Sequence, residues 1–358
     1  MSAPPTAARP SPRELGVVVG ALPTGPANAI TDVAGVRVGH TTLHEGERVH
    51  TGVTAVVPDA LGAGPGQRRA LPCGLFVGNG YGKLVGATQL EQLGEIETPI
   101  LLTGTLSAFR VADALVSFML AQPGNEGMTS VNPVVGETND GYLSDIRTRP
   151  LTEAHVLEAI GAARDDAVEE GCVGAGTGTT ALGFKAGIGT SSRMVKIDDT
   201  AFTLGVLVQA NFSGTLTVLG VPMPADELLA GDSRPEPDAI PTERGNSCMI
   251  VVATDAPTDA RQLGRIARRA VFGMARVGAD YTHGSGDYGI AFSVGEGPTL
   301  PDRALDPVFI AVQEAVEEAL LNSLFMAETA VGYRGHVRQA VPLDAVRDRL
   351  VAAGQVPE

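Results

Sequence analysis

Arg244-Gly245-Asn246-Ser247-Cys248 runs directly into the apolar stretch Met249–Thr254. A small hydroxyl residue follows two residues that tolerate unusual backbone angles, and a buried-type strand starts at once. The arrangement suits a serine whose own upstream peptide bond is cut, so that it becomes a new chain terminus. A freed Ser247 would carry nucleophile and base on one residue, with the hydroxyl attacking and the α-amine taking the proton. An α-amine titrates at about 7.7–8.0, close enough to neutral to serve as a base. The pattern has a second reading, because Gly-Asn is a common turn dipeptide and a serine opening a strand is ordinary. Cys248 is the rival nucleophile. Adjacent strand residues point to opposite faces, so Ser247 and Cys248 cannot both face one cleft, and Cys248 is expected in the core.

Upstream of this stretch, 222–246 carries five prolines with scattered acidic residues and little periodicity. It reads as a mobile linker that gives a cleaved end room to move, or as an ordinary surface loop. Strand patterns fall at Val17–Gly20, Val36–Gly39, Val53–Val57, Leu75–Gly78, Phe202–Ala210, Met249–Thr254 and Gly289–Val294. Helical periodicity marks Leu106–Ala121, apolar nearly all round and expected buried, and Thr152–Glu170, with Val156, Ile160, Ala163 and Ala167 on one face. It also marks Thr258–Val277, with Thr258 or Asp259 as N-cap, and Val308–Met326. Early strands followed by a strand–helix–strand–helix run point to an α/β layered fold.

Composition narrows the function. Lys+Arg 26 against Asp+Glu 41 gives a net charge of −15, which disfavours nucleic acid and anionic membranes as partners. Glycine, at 45 of 358 residues, is well above the usual ~7% and implies many tight turns. Cys73, Cys172 and Cys248 are widely spaced and odd in number, so a reduced, cytoplasmic setting is expected. Met1–Pro12 has no apolar signal-peptide core, and no apolar run reaches ~18 residues. No cofactor motif survives inspection. Gly78–Lys83 lacks the phosphate-loop spacing, Gly174–Thr180 lacks the dinucleotide pattern, and His40 with His44 lacks H-E-x-x-H.

Seven segments in order carry a family resemblance: Asn28–Thr42, Gly174–Thr180, Lys185–Arg193, Val208–Asn211, Asn246-Ser247, Ala253–Pro257 and Gly284–Asp287. From near residue 15 to about residue 335, the chain resembles the L-aminopeptidase/D-esterase and β-peptidyl aminopeptidase family. The resemblance implies a four-layer α-β-β-α sandwich like that of the N-terminal nucleophile hydrolases. It also implies one inactive chain that cuts itself between Asn246 and Ser247 into pieces 1–246 and 247–358, and a homo-oligomer, a tetramer of processed pairs. The implied activity is an aminopeptidase on small peptides, amides or esters with a free N-terminus, D- or β-amino acid substrates included.

Ser247 is then the nucleophile. Ser285 relays a proton and Asp287 holds the new ammonium, while Asn211 donates to the oxyanion. Tyr142 and Lys185 act on substrate or on the amine. On sequence alone, Gly284–Asp287 reads first as a solvated turn and Lys185 as a solvated lysine, while Asn211 also reads as a strand cap and Tyr142 as a half-buried loop tyrosine. β-Peptidyl members carry glutamate as the acid, and Asp287 is one methylene shorter. His283 suggests a Ser-His-Asp triad, which a serine with its own amine does not need. Three other readings compete. One is an endo-acting amidase on ω-amino acid oligomers and another is ornithine-acetyltransferase-like chemistry; both resemble members that use threonine at the nucleophile. The third is an unprocessed binding or scaffold protein.

Overall fold

A computed structural model describes residues 9–230 and 246–357. In chain order the strands are β1 Val36–Glu45, β2 Val49–Pro58, β3 Leu71–Gly80, β4 Glu95–Ile96, β5 Ile100–Gly104, β6 Val134–Thr138, β7 Thr180–Ala181, β8 Phe184–Lys185, β9 Ile188–Ile197, β10 Thr200–Asn211, β11 Thr217–Val218, β12 Val221–Pro222, β13 Ser247–Thr254, β14 Gly286–Ser293, β15 Ala330–Val331 and β16 Val337–Arg338. The helices are α1 Ala87–Leu93, α2 Ala108–Leu120, α3 Glu153–Gly161, α4 Ala225–Leu228, α5 Ala260–Gly273, α6 Asp306–Phe325 and α7 Leu343–Ala352.

Two sheets carry the architecture, a four-stranded one in the order β1-β2-β5-β6 and a six-stranded one in the order β4-β3-β14-β13-β10-β9. Most neighbours are antiparallel. The exceptions, β5/β6 and β13/β14, are parallel pairs whose connections contain α2 and α5. Helices α2 and α3 cover the outer face of the first sheet, and α5 and α6 cover that of the second. The result is an α-β-β-α sandwich.

Its three apolar layers follow from strand alternation. Along β13, Cys248, Ile250 and Val252 face α5 and α6, whereas Met249, Val251 and Ala253 face the other sheet. All eight residues of β13 are buried, each large aliphatic side chain contributing about 1.5–3 kcal/mol. The third layer, with Val53, Leu101, Val111 and Leu115, lies under α2 and α3. Helix α6 lies so close on β9 that a Cβ at Gly189 would sit 1.9 Å from the Ala319 carbonyl oxygen. Helix α5 opens on a capping box, in which Asp259 accepts from the Gln262 N–H at 2.8 Å and Gln262 accepts from Asp259 at 3.2 Å.

Several expectations need correction. Val17–Gly20 pairs with no strand; it follows a short 3-10 turn at Arg13–Leu15, and Val17 and Val19 pack into the core. Helix α3 stops at Gly161, since Arg164 instead pairs its backbone with Val38, so the pattern to Glu170 was too long. Helix α2 is not buried all round, because Phe109 and Leu120 are exposed and Leu106 just before it is too. Of the expected linker 222–246, residues 231–245 lie outside the described residues, while α4 shows that its start is helical. Among the described residues no helix is long and apolar enough to cross a membrane.

Candidate active site

The site forms where two neighbouring strands of the second sheet begin. Ser247 is the first residue of β13, and its cross-strand partner on β10 is Asn211, the last residue of that strand. On the other side β14 runs parallel, so Cys248 pairs with Asp287 and the turn before β14 reaches Ser247. That turn closes through the Ser285 N–H, which donates to the Thr282 carbonyl at 2.9 Å. Gly286 is required here, because a Cβ would lie 2.9 Å from the Tyr81 carbonyl oxygen and from the Gly82 Cα. The missing side chain lets the Gly286 N–H donate to Ser247 Oγ at 3.3 Å.

Ser247 is buried, and its hydroxyl donates to the carbonyl of Asn246, the residue just before it. The Ser247 hydroxyl is therefore in contact with the carbonyl of the peptide bond that precedes it. Ser285 donates its hydroxyl to Asp287 Oδ1 at 2.7 Å. Asp287 Oδ2 is buried without a hydrogen-bond partner. Burial pushes the Asp287 carboxyl up to about 6, partly offset by the Ser285 hydrogen bond and a Cys248 backbone hydrogen bond, with the Asp280 charge adding to the rise. A carboxyl in that range accepts a proton near neutrality and can return it.

The profile of peptidase family S58 matches residues 28–338. The chain belongs to peptidase family S58. It is 39% identical over 366 residues to the beta-peptidyl aminopeptidase BapA of Sphingosinicella microcystinivorans, covering 93% of this chain and 90% of that one. The Burkholderia sp. beta-aminopeptidase superposes with a TM-score of 0.86 at 36% identity over 97% of this chain and 100% of its own. The L-aminopeptidase D-Ala-esterase/amidase of Ochrobactrum anthropi, described as a prototype for the serine aminopeptidases and a variant of the Ntn hydrolase fold, gives 0.86 at 34% identity with the same coverage. This S58 chain is a hydrolase of the aminopeptidase class, on an N-terminal-nucleophile type of sandwich.

The structure brings five of the expected residues together: Asn246, Ser247, Ser285, Asp287 and Asn211. The Asn211 amide donates to the Asn139 carbonyl at 3.1 Å and accepts from the Thr180 N–H at 2.9 Å, which joins the Asn139–Tyr142 loop to the site. Tyr142 follows on that loop. Its ring stacks on His336 with centroids 4.5 Å apart, and the Arg338 guanidinium lies 3.9 Å from its centroid.

Lys185 is not solvated. It is fully buried, with its amine donating to the carbonyls of Gly176 and Ala186, and burial lowers its pKa. Those contacts tie it to the glycine-rich Gly174–Thr180 segment. Cys248 is in the core, and burial raises its thiol pKa well above the ordinary value. His283 is exposed, its ring 6.1 Å from that of Tyr81. Among the described residues no group of three or more His, Cys, Asp or Glu side chains is arranged to hold a metal.

Sequence reasoning missed Glu137 and the Tyr81–Lys83 loop. Glu137, buried at the end of β6, accepts from the Lys83 N–H at 2.8 Å and pairs with the Lys83 amine at 3.6 Å. A Cβ on Gly82 would touch both Glu137 and Tyr288, the residue after Asp287, which places this loop against the site. The segment was set aside for lacking phosphate-loop spacing. Its glycines serve close packing against Gly286 instead.

Proposed function

We propose that this chain is a self-processing serine aminopeptidase, cut between Asn246 and Ser247 into segments 1–246 and 247–358 of a single α-β-β-α unit. The observation that carries the proposal is the contact of the buried Ser247 hydroxyl with the Asn246 carbonyl, beside a carboxyl raised to about 6. In the first stage Ser247 Oγ attacks the Asn246 carbonyl carbon and gives up its proton toward Ser285 and Asp287. The C–N bond then breaks as the Ser247 nitrogen takes a proton, leaving an ester on Oγ and a free amine. Water hydrolyses the ester, so that Asn246 ends in a carboxylate and Ser247 regains its hydroxyl.

The mature site repeats the attack on substrate. The Ser247 amine takes the hydroxyl proton and returns it to the leaving amine, and a second water releases the acyl group. Asn211, opposite Ser247 across the strands, supplies an amide for the oxyanion, a contribution worth about 2.7–4 kcal/mol in a preorganised site. Asp287 holds the ammonium, and Tyr142 lines the substrate side. Lys185 keeps the glycine-rich segment packed behind them. Substrates are small peptides, amides or esters with a free amine, β-amino acid residues among them; the names of the relatives support this range.

The exposed Leu106, Phe109 and Leu120 support assembly of processed pairs into a homo-tetramer, which light scattering would read directly. Three free cysteines support a cytoplasmic setting, and the net charge of −15 supports the absence of nucleic-acid or anionic-membrane partners.

Intact-mass spectrometry tests the processing. Wild type should give a light chain of 112 residues, about 12 kDa, beside a heavy chain of about 25 kDa. Ser247→Ala should stay whole, and Cys248→Ala should still cut. A Ser247→Ala chain that processes normally would sink the assignment.

A further inference from the structure

Asn246 is held by its side chain as well as by its place in the chain. Its amide nitrogen donates to Thr282 Oγ1 at 2.7 Å and to Ser213 Oγ at 3.1 Å. Ser213 Oγ in turn donates to Asp280 Oδ1 at 3.0 Å, and the two hydroxyls lie 3.1 Å apart.

Proton counting fixes the direction of this chain of bonds. A serine hydroxyl has one hydrogen, and Ser213 spends it on the Asp280 carboxylate. Ser213 must therefore accept from both Asn246 and Thr282, and Thr282 must accept from Asn246 while donating to Ser213. Both hydroxyl oxygens thus accept from the Asn246 N–H₂ group, and the chain ends on a charge that strengthens each bond before it. A carboxylate at position 246 would lose the donor to Ser213 Oγ, whose one proton is held by Asp280, and would add a second negative charge to the cluster.

The backbone presents these hydroxyls. Ser213 follows β10, where Gly214 bridges Ala279 and the Asp280 N–H donates to the Ser213 carbonyl at 3.3 Å. Tyr281 takes a left-handed conformation with φ 48°, and Thr282 follows. Thr282 has two duties. Its carbonyl accepts from the Ser285 N–H at 2.9 Å and from the Asn79 amide at 2.6 Å, fixing the turn that carries Ser285 and Asp287. Its hydroxyl fixes Asn246. One residue thus sets the scissile carbonyl and the proton-accepting turn relative to each other.

We infer that Thr282 and Ser213, backed by Asp280, form a processing clamp that reads the amide of Asn246 and orients its carbonyl for attack by Ser247. They are positioning residues for self-cleavage. Cleavage turns Asn246 into the end of a separate chain, so the clamp has no further part in turnover. The inference rests on the self-processing reading.

The experiment follows cleavage by intact mass at timed intervals after synthesis of the full chain in a cell-free system, for wild type, Thr282→Val, Thr282→Ser, Ser213→Ala and Asn246→Asp. Thr282→Val keeps the shape and loses the hydroxyl, and should slow cleavage about tenfold, the rate equivalent of one lost hydrogen bond. Thr282→Ser restores the hydroxyl and should restore the rate. Asn246→Asp and Ser213→Ala should be slowed at least as much. Turnover per mature chain should match wild type in Ser213→Ala once processing is complete.

Thr282→Val and Ser213→Ala chains that both cut at the wild-type rate overturn the inference. So does a loss of turnover per mature Ser213→Ala chain as large as its loss in cleavage rate. If Thr282→Val does not fold, Asn246→Asp decides, because its altered group lies in the clamp alone. A wild-type chain that stays whole overturns the self-processing reading itself, an outcome distinct from the others.

Discussion

Two buried charged centres sit in the second sheet and its helices, and they are built on opposite principles. Arg193 on β9 is fully buried and saturated. It bonds Glu314 at 3.2 Å, Glu318 at 2.6 Å and the carbonyls of Val19 and Ser192, while Arg13 forks onto Glu318 from the N-terminal segment. Burial alone would raise the Glu318 carboxyl. The Arg13 hydrogen bond and the charges of Arg193 and Arg13 outweigh that and hold it below its ordinary value. Asp287 on β14 is as deeply buried, but hydrogen bonds from Ser285 and the Cys248 backbone leave one of its oxygens without a partner, and its pKa is raised to about 6. A buried charge with all its partners in place holds elements together. A buried charge with spare bonding capacity keeps it for a proton or a ligand.

The comparison makes the two centres separable by substitution, and the largest separation is in rate. Asp287→Asn preserves shape and the acceptor for Ser285 but removes the titratable oxygen. It should lower kcat/KM about 10²–10⁴-fold, the range for losing a positioned acid–base group, with the circular dichroism unchanged. Near wild-type rates would make the Gly284–Asp287 turn structural. Arg193→Met should do the reverse. It strands Glu314 and Glu318 without their internal cation and should cost about 3–5 kcal/mol in urea unfolding, while the molecules still folded keep their turnover.

How much of each centre was legible follows from how it is encoded. Ser247, Ser285, Asp287 and Asn211 sit at strand starts and ends, which strand and turn patterns marked, but it was the family resemblance that turned them from ordinary turn and strand-cap residues into site candidates. Alternation also assigned Cys248 to the core. The family resemblance gave the sandwich, which periodicity could not, because two stacked sheets and one sheet read alike along the chain. Arg193 gave no local sign of its fate. Its partners Glu314 and Glu318 are 121 and 125 positions away, on a helix that only the fold brings against β9. Lys185 and Glu137 were hidden for the same reason, since burial of a charge depends on neighbours that only the fold supplies. Val17–Gly20 looked like a strand because Val17 and Val19 alternate, yet they are buried in a segment that joins no sheet.

A smaller effect sharpens the contrast through pH. The folded-state pKa of Asp287 lies above the unfolded value, so its contribution to stability is fully present below about pH 4 and is lost as pH rises through about 6. Above that pH the ionised carboxylate destabilises the fold by as much as ~3 kcal/mol, from a shift of about two units. Asp287→Asn, compared in an uncleaved Ser247→Ala background, should therefore raise Tm at pH 7.5, with the gap closing as pH falls toward 4. A gap that is constant with pH would mean that the carboxylate is already paired. Glu318, lowered rather than raised, has the opposite sign; its stabilisation is present above its unfolded pKa and is lost as pH falls through the lower folded one.

The smallest effect concerns what Asp287 binds. Glu318 already has its cations, so nothing added from solution changes its balance. Asp287 has an oxygen without a partner, in a protein of net charge −15, and under the proposed aminopeptidase reading this oxygen receives the substrate's N-terminal amine. A free ammonium there completes a pair that burial has left open, whereas an acetylated amine brings no charge and adds bulk among close-packed glycine turns. The test is a matched pair of small substrates, β-alanyl p-nitroanilide and its N-acetyl form, assayed on mature enzyme. Blocking the amine should cost on the order of 2 kcal/mol, about thirtyfold in kcat/KM. The penalty should shrink in Asp287→Asn, which no longer distinguishes a cation from a neutral amide. Equal rates on both substrates in wild type would mean that the partnerless oxygen serves proton transfer alone, and would favour an endo-acting amidase over an aminopeptidase that reads the free terminus.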